Sequence, residues 1–272
     1  MNKIKNLIRM KRAKLFLTFL SLIGLFSIPQ LLAIFGFDPF YKSSYDNVYF
    51  ELRDNIGSYL YAFSTTLITG ALSVILSVIF GIFVGIIIGY YDKYLGFFEN
   101  VSKFIWSLPL IAVANYLNII GLSGFMFSIV TGVFLGVFPI ISYSYRKCID
   151  IDDKIINMVA SFNLSKKQEF FYFRIPEVLK SNNINAVLAQ SVPLAYIGVT
   201  MGEWLVSNPI FSQGEGLGSI FRTAINNGRY DKVYVTMFLM MALVYSTGII
   251  AESLPKLRLY IVKLKNNVKF SI

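Results

Sequence analysis

The chain has no histidine in 272 residues. That removes the commonest proton shuttle and the commonest metal ligand. It argues against zinc intramembrane proteases and histidine-dependent acyltransferases. The single cysteine, Cys148, forbids an internal disulfide and leaves the compartment open. No Gly-x4-Gly-Lys-Ser/Thr pattern occurs, so any ATP-driven work needs a motor on another chain. Acidic residues are scarce, 15 against 25 lysines and arginines. No catalytic, cofactor or metal site is expected, and the chain does not read as an enzyme.

What is present is apolar. Hydrophobic residues make up 56% of the chain, far above a soluble domain. Apolar stretches near 15–34, 59–90, 103–121, 124–145, 183–206 and 233–254 read as six membrane spans of about 20 residues each. The second is too long for one straight crossing, so part of it is expected to tilt or to lie along the outer surface. The expected organisation is a basic N-terminus (1–14), a six-span domain (15–254) and a basic tail (255–272). The first apolar run lacks a small-x-small cleavage site and reads as an uncleaved span.

The formal charge of +10 would suggest nucleic acid in a soluble protein. Here its distribution speaks of topology, and no nucleic-acid partner is expected. All but five of the 25 basic residues fall on one side of the six-span arrangement. The positive-inside rule then puts both termini and the 150–180 connection in the cytoplasm of a multi-pass cell-membrane protein.

That connection carries the most informative segment, Asn157 to Pro176. It is a polar, lysine-rich island between apolar runs. Ile155, Met158, Val159 and Phe162 fall at i, i+3, i+4 and i+7, one apolar stripe at helical period. Asp152 can cap that helix, and Asn163 can end it in a left-handed conformation. Ser165 stands three residues before Gln168, a capping-box spacing for a second helix. Pro176 is expected to limit that second helix.

Small and polar residues mark other spans. Gly81, Gly85 and Gly89 form a small-xxx-small stripe for close helix approach, within the protomer or at a subunit interface. Gly132 and Gly136 repeat the spacing. Pro109, Pro139 and Pro193 lie inside three expected spans, as structural kinks or as parts of a gate. Tyr196, Thr200 and Glu203 lie at i, i+4 and i+7 with Gln190 deeper along the span. Glu203 is either an interfacial residue reaching water or part of an aqueous path, and Trp204 an aromatic-belt anchor. With Asn115 and Asn118 they are the candidate lining of a translocation pathway.

The island resembles the EAA loop of the inner-membrane permeases of binding-protein-dependent ABC importers. The family pattern is Glu-Ala-Ala, three residues, Gly, nine or more residues, then a hydrophobic residue and Pro. Asn157, Met158 and Val159 take the Glu-Ala-Ala places, Asn163 the Gly place, and Ile175-Pro176 the last two. The glycine stripe at 81–89 is similar to the Gly-rich end of a span in the sulfonate, nitrate, taurine and hydroxymethylpyrimidine branch. Gly202-Glu203-Trp204, Gly216-Leu217-Gly218, Ala224, Asp231 and Gly248 are similar to the end of that branch, over a resemblance covering about residues 15–262.

The resemblance implies an all-α membrane protein, a six-span MetI-like permease bundle with a cytoplasmic coupling-helix elbow. It implies a homodimer, two cytoplasmic ATP-binding subunits and an extracytoplasmic substrate-binding protein, working by alternating access. Ile155, Asn157, Met158, Val159, Phe162, Asn163 and Pro176 would then couple to the ATPase. Gly-Glu-Trp in place of Ala-Glu favours a thiamine-precursor pyrimidine over a sulfonate, taurine or nitrate. A carboxylate near the outer mouth would also repel a sulfonate. Two other readings stand beside this one. One is a membrane scaffold recruiting a cytosolic partner through the elbow. The other is a secondary carrier, for which the sequence has no clear inverted repeat.

Overall fold

The computed structural model describes residues 35, 45–91, 104, 107–122, 124–151, 153–162, 164–180, 184–206 and 216–269. Among them helix is the only regular structure. The elements are α1 (Tyr45–Asp54), α2 (Ile56–Tyr91), α3 (Leu110–Ile119), α4 (Gly124–Ile149) and α5 (Asp153–Ser161). Then come α6 (Lys166–Gln168), a π-helix (Glu169–Arg174), α7 (Ile175–Lys180), α8 (Ile184–Val206), α9 (Leu217–Asn226) and α10 (Tyr230–Lys269).

Four helices are long and apolar enough to cross a membrane: α2, α4, α8 as far as Leu205, and α10 as far as Ser253. They sit where four of the spans were expected. The expected first span, 15–34, lies outside the described residues. In the expected third span the described helix is α3, with ten residues. The long second stretch is one unbroken 36-residue helix. At roughly 1.5 Å per residue that is about 54 Å, against a hydrocarbon core of about 30 Å. The expected boundary at 254 is not a helix end, because α10 continues to Lys269.

The centre of the bundle is α4. Of its most apolar window 61% is buried, against 28% for α2 and α8 and 22% for α10. Two small-residue seams explain this. On one side Gly81, Gly85 and Gly89 of α2 meet α4. A Cβ at Gly85 would lie 2.6 Å from the Ser144 Cβ and 2.7 Å from the Ile141 carbonyl, and one at Gly89 would lie 2.8 Å from the Cys148 Cβ. Further along, Gly132 and Gly136 of α4 lie where three helices meet, against Ser73 and Ser77 of α2 and against Val199 and Ala195 of α8, while Gly198 and Gly202 of α8 meet Thr131 and Ser128. Lipid tails are as apolar as leucine, so van der Waals contact at close range drives this association.

Residue pairing along the seams sets direction. Gly81, Gly85 and Gly89 match Ile140, Ser144 and Cys148 in ascending order, so α2 and α4 are parallel. Gly198 and Gly202 match 132 and 128 in descending order, so α8 is antiparallel to both. Leu243 packs with Tyr196, and Gly248 lies against Pro193, so α10 runs with α2 and α4. Parallel neighbours need a return between them, and α3 lies on that return.

The prolines differ in role. Pro139 and Pro193 are inside α4 and α8. Pro139 is buried, and one turn before it the carbonyl of Gly136 accepts a hydrogen bond from Ser191 of α8. Neighbouring hydroxyls restore partners around a proline in this way. Pro109 is a correction. It precedes α3 and caps it, its carbonyl accepting from the amides of Ala112 (2.8 Å) and Val113 (3.3 Å).

Pro176 is a second correction: the helical path runs through it to Lys180. The preceding π-helix is the physical reason. The Ile175 amide donates to the Phe170 carbonyl, a five-residue step that widens the turn just where the proline ring would clash.

Candidate functional site

The bundle has two ends of different construction. One carries the 150–180 connection, at the C-termini of α2 and α4. The other carries α1 and α9, at the N-termini of α2 and α10.

At the first end α5 comes after α4, beyond the turn at Asp150 and Ile151. Its apolar stripe divides. Ile155, Met158 (56% exposed) and Phe162 (67% exposed) face outward, with Asn157 also exposed. Val159 does not join them: it is only 7% exposed, a correction to the four-residue docking face. A short helix standing off a bundle needs one inward anchor, and Val159 lies on the edge of the stripe that supplies it. Asn163 lies outside the described residues. The capping box forms as spaced: the Ser165 amide donates to Gln168 Oε1 (2.9 Å), and the Gln168 amide to Ser165 Oγ (3.3 Å).

The second half of the connection is clamped to the bundle. Arg174, 7% exposed, donates through Nη2 and Nε to Glu169 Oε1 (2.9 and 3.1 Å) and through Nη1 to the Cys148 carbonyl (3.2 Å). Its guanidinium lies over the Tyr90 ring, 5.3 Å from the centroid. One side chain thus joins the π-helix to the last turns of both α2 and α4. A cation on the free carbonyls of a helix C-terminus also complements the helix dipole. Phe170 stacks edge-on against Phe83 (5.4 Å), and Tyr143 Oη donates to the Val178 carbonyl (3.2 Å).

At the opposite end Glu203 is 7% exposed. Its carboxylate accepts from Thr66 Oγ1 of α2 and from the Gly218 amide at the start of α9, each at 3.0 Å. The Leu217 amide donates to Thr66 Oγ1 (2.9 Å). Glu203 therefore caps α9, where orphan amides and the positive dipole end favour an anion. In return α9 caps α8. Ser219 Oγ donates to the Glu203 carbonyl (3.2 Å), and Arg222 Nη1 to the carbonyls of Trp204 (3.2 Å) and Leu205 (2.8 Å). Gly216 and Gly218 are required by closeness: a Cβ on Gly218 would sit 2.7 Å from the Glu203 Cβ, and one on Gly216 would enter its carboxylate.

Beside this lies a cavity of about 300 Å³ bordered by α1, α2 and α9. Its buried Glu51 accepts from Asn55 (2.9 Å), Tyr59 (3.1 Å) and Arg229 (2.9 Å), with Lys232 at 3.4 Å. The hydrogen bond to Asp231 holds the Arg229 guanidinium above its ordinary pKa.

The expected pathway residues separate. Tyr196 is buried and donates to the Leu67 carbonyl (3.1 Å), and Glu203 is buried in its cap. Thr200 is half-buried and donates to its own helix at Ile197. Gln190 shares an exposed face with Ile197 and Met201. The side chains of Asn115 and Asn118 lie outside the described residues. Sequence reasoning missed Arg174, Thr66, Glu51 and the Ser219–Arg222 pair. Only α9 left a signal: Gly216-Leu217-Gly218 and Glu203 both stand out in the sequence, though their contact does not.

The profile of the family described as binding-protein-dependent transport system inner membrane component matches residues 77–256, about two thirds of the chain. No curated protein matches the chain at a significant level.

Proposed function

Because the chain belongs to the family of binding-protein-dependent transport system inner membrane components, and is the permease subunit of an ABC transporter, we propose that α5 is its ATPase-docking helix. The observation that carries this is the outward set Ile155, Met158 and Phe162 on a helix standing off the bundle. Exposed apolar side chains grouped on a polar, lysine-rich connection fit a protein partner better than lipid. A separate ATP-binding subunit seats there, two per homodimer of six-span protomers. Both termini and the 150–180 connection face the cytoplasm. The α9 end then faces outward, where a substrate-binding protein delivers its cargo. The translocation lining assigned to Gln190, Thr200, Asn115 and Asn118 stays part of this reading.

Phe162→Ala tests it. An aromatic anchor at the centre of an interface typically contributes about 2 kcal/mol or more, roughly a 30-fold loss of affinity. The variant should insert normally and lose the ATPase on purification. Full association and full transport would refute the docking assignment.

For the substrate we favour a small polar nutrient, a thiamine-precursor pyrimidine first and a sulfonate, taurine or nitrate next. The support is Gly202-Glu203-Trp204 alone. The repulsion argument against sulfonates falls away, because Glu203 is buried in a cap. Calorimetry of the partner binding protein with hydroxymethylpyrimidine, thiamine, taurine and alkanesulfonates decides it. Sulfonate binding without pyrimidine binding would reverse the order.

A further inference from the structure

We infer that Arg174 is the positioning residue that carries movement of the docking helix into the bundle, and that α4 receives it first. This rests on the proposed role of α5 as the ATPase-docking helix.

Of the α5 side chains, Val159 alone is buried among those described. Besides that anchor, α5 has two mechanical links through the chain. One is the chain through Asp150 and Ile151 into the end of α4. The other runs through Phe162–Ser165 and α6 into the π-helix. That second link ends on Arg174, which donates to the Cys148 carbonyl, again at the end of α4. Both routes from α5 therefore meet on the last turn of α4. The loop closes into a ring at Arg174, with Tyr90 of α2 under the same guanidinium.

The other groups at this point fit a clamp. Glu169, five residues earlier on the π-helix, holds two guanidinium nitrogens and fixes the plane of the fork. Ile86, Cys148 and Val178 close an apolar cluster beneath it. The planar, five-donor geometry suits arginine and not lysine. From α4 the movement reaches α2 and α8 together, because α4 lies between both glycine seams. Removing Arg174 would break the charged bond that closes this ring and leave the ring contact of Phe170 with Phe83, the Tyr143–Val178 bond and the Val178 cluster as the remaining holds. Docking would survive, while transmission would lose its one charged, directional element.

The test is hydrogen exchange on the tagged permease purified from its own host membranes with its ATPase, recognised by its nucleotide-binding motif. Samples are compared before and after trapping with ATP and orthovanadate. In the wild type, trapping should change exchange in 153–161 and also in 141–149 and 85–91. In Arg174→Gln the ATPase should still co-purify and 153–161 should still respond, while the response at 141–149 and 85–91 is lost. Glu169→Gln should reduce that response in the same direction while leaving the arginine in place. This covers the case in which Arg174→Gln does not fold. A wild-type response at 141–149 in a folded Arg174→Gln would overturn the inference. So would loss of ATPase association in either folded variant, since the clamp would then be structural only. If the wild-type protein brings no ATPase, the docking reading itself fails, and this inference falls with it.

Discussion

The two ends of the bundle are tied by different means. At the α9 end the helices cap one another. Glu203 serves the first amides of α9, and Ser219 and Arg222 serve the last carbonyls of α8. Glu51 of α1 adds a buried carboxylate with donors from α2, from α10 and from Asn55 and Arg229 just before them. At the 150–180 end a nine-residue helix leaves its apolar side open, and one arginine clamps the π-helix beyond it. The first arrangement resists displacement, because moving any helix orphans several buried groups. The second permits it, because α5 can move until Arg174 takes up the load. An assembly that works by movement needs one end of each kind.

This contrast predicts large stability losses at the α9 end and small ones at α5. The largest belongs to Gly218→Val. Its Cβ would sit 2.7 Å from the Glu203 Cβ and 2.9 Å from the Trp204 amide, so α9 cannot seat. Size-exclusion chromatography in detergent should show loss of the monodisperse species. An unshifted peak would mean that α9 docks without the cap.

Glu203→Ala comes next. It strands the Gly218 amide and the Thr66 hydroxyl in the interior, at about 1–3 kcal/mol each. Glu203→Gln keeps an acceptor oxygen and should recover much of the loss in a thermal shift assay. Equal losses for both would make the charge, rather than the hydrogen bond, the source of stability.

Arg229→Gln ranks third. Glu51 keeps Asn55, Tyr59 and Lys232, and Arg229 is half-exposed, so the cost should be about 1.5 kcal/mol, the low end for a hydrogen bond to a charged group. Neutralising Glu51 at the same time should restore part of it, and a double-mutant cycle measures that coupling.

The smallest effect belongs to Phe162→Ala, whose exposed ring should change thermal stability by no more than about 0.5 kcal/mol. A large drop would place Phe162 inside the fold and erase the contrast between the ends.

What the sequence reveals is what its local periods encode. Four of the span positions, the glycine seams and the Ser165–Gln168 box depend on neighbours within a turn or two, and each of these lies where the pattern puts it. Val159 and Pro176 go astray because a stripe does not say which edge rests on the bundle, nor does a proline reveal a wide turn before it. Arg174 reads as one of many basic residues on the 150–180 connection, and its partners are 26 and 84 positions away in Cys148 and Tyr90. Glu203 shows the same limit. Its cost in a span is legible, but its remedy, Thr66, is 137 positions distant.

The hydroxyls along the two seams bear on friction. Thr69 donates to the Thr65 carbonyl, Thr131 to Phe127 and, on α10, Thr247 to Leu243, each to its own helix one turn back. Those bonds travel with the helix that owns them. A short axial slide of α4 against its neighbours breaks few of them, and the glycine faces present little relief to catch. The Ser191–Gly136 bond beside Pro139 does bridge α8 and α4, and Ser73 bridges α2 and α4 at the Ile129 carbonyl (3.2 Å), so together they set the detent at which such a slide comes to rest.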